Sequence, residues 1–188
     1  IIALLFSFTA QSQCGYDTST VNIIPILCFG DNTGEINLTV PNVNASFTWA
    51  GPSGFSDTLI PINSLYAGDY ILTISEYSSS PQPICQETFT FTVNETNDIS
   101  ATYLLNDICN EEDSANVIIV VTGGTPYNPL SNNGELYNYQ LIDSLLIVST
   151  NDSVFNLPAG LYSLSVTDQN GCAPDSLQYI LIDSVLAM

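Results

Sequence analysis

Apolar and polar residues alternate in short runs along most of this chain, and turn-forming residues break the runs. Stretches 34–40, 45–49, 70–75 and 88–93 alternate or are rich in β-branched residues, which predicts half-buried strands. Stretches 117–122, 136–142, 145–148, 161–167 and 177–182 repeat the theme in the second half. Hardly any 3.6-residue periodicity is present, so helices are not expected. Many short strands at close spacing predict an all-β chain built of β-sandwiches.

The pattern occurs twice. Leu65-x-Ala67-Gly68-x-Tyr70-x-Leu72 lines up with Leu157-x-Ala159-Gly160-x-Tyr162-x-Leu164. Cys28 and Cys109 each precede a turn-rich acidic stretch and a strand, and Cys85 and Cys172 each precede a closing strand. Two domains are therefore expected rather than one large sandwich. Residues 21–97 form the first and residues 98–188 the second, with a boundary near Asn94-Glu95-Thr96-Asn97-Asp98.

The repeated segment has a mechanical reading. Gly68 and Gly160 allow a sharp turn, and Tyr70 and Tyr162 open the next strand with a hydroxyl able to bond back across the corner. This resembles the tyrosine corner of immunoglobulin-like sandwiches, so the fold class expected is two tandem immunoglobulin-like β-sandwich domains. The repeat also suggests the disulfides. Pairing Cys28 with Cys85 and Cys109 with Cys172 closes one loop per domain, each worth about 4 kcal/mol in the chain-entropy account. Pairing Cys14 with Cys28 leaves the symmetry unexplained, so Cys14 is read as a free or differently paired thiol.

Residues 1–10 form an apolar run followed by Gln11-Ser12-Gln13. With Ala10 and Ser12 placed like a signal-peptidase site, residues 1–12 read as a signal-peptide remnant and 13–20 as a mature N-terminal segment. The run falls short of the about 20 apolar residues needed to span a bilayer. The chain is thus expected to be exported, to the cell surface or beyond, and to be a piece of something longer. No direct membrane insertion is expected after signal removal.

Composition narrows the function further. The chain holds 19 Asp plus Glu and no Lys, Arg or His, for a formal charge of −19. Without cations it cannot neutralise phosphates, which excludes backbone-driven nucleic-acid binding and docking on anionic lipid. Without His or Lys it lacks the usual general bases, histidine metal ligands, Schiff-base amines and P-loop lysine. Catalysis would have to rest on carboxylates, and nothing places two across a cleft. No enzyme is expected. Hydrophobic residues make up 45% of the chain, enough to argue for a folded core despite the charge. None of the five cysteines sits in a CxxC pair, which favours disulfides over a zinc site.

Three motifs together resemble a known family. Cys28-Phe29-Gly30 leading through Gly34-Glu35-Ile36, Thr122-Gly123-Gly124-Thr125-Pro126-Tyr127, and Leu157 through Asp168-Gln169-Asn170-Gly171-Cys172 are similar to the repeats of SprB-type surface adhesins of gliding Bacteroidetes. The similarity covers about residues 21–183. The first unit lacks the Thr-Gly-Gly-Thr-Pro-Tyr piece and has Ser79-Ser80-Pro81-Gln82-Pro83 where Asp-x-Asn-Gly would stand. The resemblance implies a non-enzymatic cell-surface or secreted adhesion repeat within a longer exported protein. Its partners would be neighbouring repeats or other surface proteins. The alternatives are a calcium- or carbohydrate-dependent binding module of a secreted enzyme and a subunit of an extracellular filament.

Six Asp-Ser/Thr triplets followed by an apolar residue place Thr58, Ser114, Ser144, Ser153, Ser176 and Ser184 as candidate O-glycosylation sites. Composition predicts about one such triplet by chance. The competing reading is that Asp-Ser is good turn chemistry ahead of a strand. No cofactor is required. Calcium is the one candidate, with Asp31, Glu35, Glu111, Glu112, Asp113 and Asp168 in the densest oxygen-rich stretches, though none matches a calcium-loop spacing. Carbohydrate would have to stack on Trp49, Tyr66 or Phe55.

Overall fold

Alternation decides which side of each strand is buried, and in the computed structural model it does so in two separate cores. The structure describes residues 14–17, 20–40, 44–77, 83–105, 114–144, 146–176 and 178–183. The expected signal remnant at 1–12, as well as Cys109, Glu111, Glu112, Asp113 and Ser184, lies outside these residues. The chain forms two units. One comprises residues 1–26 and 31–94; the other comprises 27–30 and 95–188.

In the first unit, β1 (Asn22–Ile24), β2 (Gly34–Asn37) and β5 (Ile62–Leu65) form one antiparallel sheet in the order β1-β2-β5. The second sheet orders β4 (Ser56–Asp57), β3 (Ala45–Ala50), β6 (Gly68–Tyr77) and β7 (Pro83–Val93) as β4-β3-β6-β7. Ile36, Ile62 and Leu65 from one sheet meet Trp49, Leu72 and Ile74 from the other. The second unit repeats this plan. Its three-stranded sheet runs β12 (Ser153–Leu157), β9 (Ala115–Thr122), β8 (Ser100–Leu105). Its four-stranded sheet runs β11 (Leu146–Ser149), β10 (Asn138–Asp143), β13 (Gly160–Thr167), β14 (Gln178–Ile182). Val117 and Leu157 there pack with Leu141, Leu164 and Ile180.

In each unit strands one, two and five of seven share a sheet, and strands three, four, six and seven share the other. Hairpin neighbours thus cross between two antiparallel sheets, which is the Greek-key sandwich logic. The chain is two tandem immunoglobulin-like β-sandwiches.

The fifth strand carries a shared irregularity. Ser64 and Asn156 both adopt positive φ, at 58° and 59°, one residue before Leu65 and Leu157. The ladder slips at this place in both units, between Gly34 and Glu35 opposite β5 and between Val154 and Leu157 in β12. The bulge inserts a residue, so the inward side chains are Ile62 with Leu65 and Val154 with Leu157, three apart instead of two.

The disulfides correct the symmetric expectation. Cys14 bonds Cys85, and Cys28 bonds Cys172, with Cα separations of 5.3 and 5.4 Å. Cys28 cannot reach Cys85 for a simple reason. Ile26 donates its N–H to the Asn94 carbonyl, so the chain approaching Cys28 lies beside the far end of β7. Cys85 sits near the start of β7. Nine residues at about 3.3 Å each put roughly 30 Å between them, whereas bonded cysteines need Cα atoms within about 7 Å. Cys14 reaches Cys85 because its segment is held there, with the Gly15 and Tyr16 N–H groups donating to the Glu87 carboxylate at 3.1 and 3.2 Å. Cys28 belongs to the short stretch 27–30 that clusters with the second unit. In that stretch Thr96 Oγ1 donates to the Leu27 carbonyl at 2.9 Å, and the Gly30 N–H donates to Glu95 at 2.8 Å.

Candidate functional site

A buried carboxylate in a chain without a single cation must find dipoles instead. Asp168 is such a group, with no exposed surface. Its Oδ1 accepts the N–H of Asn170 and of Cys172, both at 2.9 Å, and its Oδ2 accepts the N–H of Thr125 at 2.7 Å. The Thr125 carbonyl in turn accepts the Gln169 N–H at 3.0 Å. Asp168 therefore ties the 168–172 turn to the 122–127 loop, and its oxygens are spent on amides. In this arrangement it serves as a structural anchor.

The paired glycines of that loop fit the same geometry. Gly123 has φ of 84°, and a β-carbon there would fall 1.8 Å from the Asp98 carbonyl oxygen. At Gly124 a β-carbon would meet the Ile99 side chain at 2.7 Å and Asp168 Oδ2 at 2.9 Å. The loop is glycine because backbone and carboxylate pass too close for any side chain.

The corner tyrosines are held alike in the two units. Tyr70 donates its hydroxyl to the Tyr66 carbonyl and Tyr162 to the Pro158 carbonyl, each at 2.9 Å and each four residues back. Gly68 holds φ of 139°, with Pro52 where a β-carbon would stand, and Gly160 lies against the Tyr162 ring. Both tyrosines are buried, so neither presents a binding surface.

In the second unit a cleft of about 400 Å³ opens beside β10 and the end of β13. Asn138, Gln140, Ser165 and Thr167 line it, with Asn132 and Asn151 also at its margin. Asn138 pairs with Thr167 and Gln140 with Ser165 across the ladder, so all four share the outer face of the sheet. Such a lining offers amide and hydroxyl donors and acceptors and no positive charge, which suits a neutral hydroxyl-rich ligand over an anion. Burial pushes the Glu135 carboxyl in the wall upward, and the nearby Asp152 charge adds to it.

Beneath the cleft, burial and then the charges of Asp152 and Glu135 push Tyr139 from 10.0 up to about 12. Burial also raises Tyr137, with Asp168 contributing, and Tyr162, with Asp143 contributing. These raised values fix the sign of an alkaline effect. Between pH 10 and about 12 an unfolded chain ionises its tyrosines while the fold keeps Tyr139 protonated, so stability is whole below pH 10 and falls through that window. Denaturation midpoints measured against pH, alongside tyrosinate absorbance, should show the loss in the wild type, and Tyr139→Phe should make its slope shallower while Tyr137 and Tyr162 keep the rest. An unchanged slope in the variant would contradict the assignment.

The remaining candidates are dispersed. Trp49, expected as a sugar platform, is 1% exposed, stacks obliquely on Phe91 at 5.8 Å and donates its indole N–H to the Leu59 carbonyl. It fills the first core because β3 turns that position inward. Phe55 is half-buried, edge-on to Tyr70 at 5.2 Å, and only Tyr66 is largely exposed. Asp31 is exposed and Glu35 half-buried, both in the first unit, whereas Asp168 belongs to the second. Thr58, Ser114, Ser144 and Ser176 are exposed, while Ser153 is half-buried and bonded to Asp152 at 2.8 Å. Asp168 and the cleft were missed as such in the sequence, although the Asp-x-Asn-Gly-Cys spacing is the signal that marks the anchor.

No family model matches the chain, and no curated protein matches its sequence. Among solved structures it is similar to the three N-terminal domains of the bacteriophage RB49 Highly Immunogenic Outer Capsid protein, with 12% identity and a TM-score of 0.44 over 86% of this chain. It is also similar to the mouse nectin-like molecule 4 ectodomain, with 13% identity and a TM-score of 0.37 over 89%. The chain spans 58% and 65% of those two structures.

Proposed function

We propose that this chain is part of a non-enzymatic adhesion protein exported to the cell surface, in which tandem immunoglobulin-like units serve as a disulfide-stapled scaffold. The observation that carries this reading is the use made of the motif residues. Asp168, Gly123, Gly124, Tyr70 and Tyr162 are all spent on holding turns and corners. Two disulfides belong to an oxidising compartment. The outer faces of the second unit expose Leu161, Tyr179, Leu181 and Phe155, residues of the kind that other surface proteins cover. The polar cleft beside β10 is the place where a neutral glycan would be engaged. Thr58, Ser114, Ser144 and Ser176 stand where sugars can be attached.

The test is made on the native protein in its own cells. Protease treatment of intact cells should remove it, and intact mass with and without reduction should show Cys14–Cys85 and Cys28–Cys172 closed, with added sugar. A protein protected inside intact cells with reduced cysteines would overturn the reading.

A further inference from the structure

Covalent connectivity decides where tension runs when a chain is pulled along its length, because load follows the shortest bonded path. In chain order Cys28 falls between β1 and β2, in the stretch 27–30 that clusters with the second unit, and Cys172 falls between β13 and β14. The bond between them has a sequence separation of 144. We propose that the Cys28–Cys172 disulfide is a tension bypass that carries load past the cores of both units. This inference rests on the surface-adhesion reading for its purpose, since an adhesion protein is pulled when the cell moves.

Load entering from the N-terminal side passes along the chain to Cys28, crosses one S–S bond to Cys172 and leaves through β14. With the path taut, the load is carried by the flanking stretches. Within them β1 and β14 are each the outermost strand of their sheet, bonded to a single neighbour, β2 and β13 respectively. Those two strands can peel, and β7, tied through Cys85 to Cys14 on the load path, shares the pull until the chain from Cys14 to Cys28 is taut; from then on β2 through β13 are bypassed. The second disulfide adds an inner lock. Cys14–Cys85, with a sequence separation of 71, closes most of the first unit into its own loop. If the outer bond is lost, load passes through Cys14–Cys85 and still avoids that loop.

Single-molecule stretching of the full chain between handles at its two ends tests this with a length readout. Oxidised wild type should lengthen only by the short flanking stretches. Reductant added to the tethered, folded molecule should release about 500 Å of further contour, from 144 residues at about 3.5 Å each. Cys28→Ser with Cys172→Ser should release about half of that without reductant, because Cys14–Cys85 still shields its 71. Cys14→Ser with Cys85→Ser should release none of it while oxidised. Release of several hundred ångströms from the oxidised wild type, or equal lengths before and after reduction, would overturn the bypass. Reduction on the tether keeps the test decisive even if a serine variant fails to fold. Failure of surface display would be seen in the protease experiment and leave these lengths unchanged, so the two readings fail separately.

Discussion

Asp168→Ala is expected to destabilise the second unit by about 4 kcal/mol, measured as the shift in its denaturation midpoint. The carboxylate accepts three backbone N–H groups from Asn170, Cys172 and Thr125. Hydrogen bonds to a charged acceptor are worth about 1.5–3 kcal/mol each, and the three act as a unit, so their losses do not simply add. Alanine leaves these donors without their acceptor where the Asp168 side chain is fully buried. Asp168→Asn is the informative companion. It keeps an oxygen for Asn170 and Cys172 but can turn its NH2 group toward the Thr125 N–H, donor against donor, so about half the loss is expected. The same variants separate an anchor from a metal ligand. Calcium should leave the melting temperature of wild type and variants equally unchanged beyond salt screening. A wild-type calcium stabilisation that vanishes in Asp168→Asn would refute the anchor role.

Trp49→Ala should cost the first unit about 4 kcal/mol, as large aromatic truncations in a packed core do. The ring is 1% exposed, packs on Phe91 and faces Leu72 across the ladder, and its N–H bond to Leu59 ties the chain after β4 back to the core. Tyr66→Ala is the contrast. That ring is 57% exposed, and its contribution to the corner is a backbone carbonyl that alanine also supplies. Its change should stay within about 0.5 kcal/mol. Chemical denaturation followed by Trp49 fluorescence in Tyr66→Ala, and by circular dichroism in Trp49→Ala, checks the pair. A neutral Trp49→Ala would mean that the residue is a surface platform after all.

Legibility in the sequence followed physical range. The strands whose inward residues recur every second position, such as β6 with Tyr70, Leu72 and Ile74, stand out because alternation is a local property of an extended backbone. The fifth strand of each unit does not stand out. Its bulge at Ser64 or Asn156 resets the alternation, so Ile62 and Leu65, or Val154 and Leu157, look out of phase. Strands as short as β4, with two residues, carry too little pattern to read.

The site was legible in pieces. The corner motif names a turn, and the tyrosine's reach to a carbonyl four residues earlier needs no distant partner. Asp168 is different. Its spacing to Cys172 looks like a turn, and also like a calcium-ligand cluster, until the 122–127 loop arrives with the Thr125 N–H. The cleft exists only because β10 and β13 are paired in one register, which brings Asn138 beside Thr167.

The amino-acid sequence by itself determined that this protein is all-β, that it holds two copies of one sandwich unit, and that it has no cationic side chain. Each of these follows from residue order or composition alone. Only the tertiary structure decided the disulfide partners, the burial of Trp49 and the fate of Asp168. The reason is distance. A repeat in sequence says which cysteines are equivalent, but a bond forms between those that the fold brings within a few ångströms. Nine residues of β7 place Cys85 at the opposite end of the strand from Cys28, leaving Cys14 as its partner and Cys172 for Cys28.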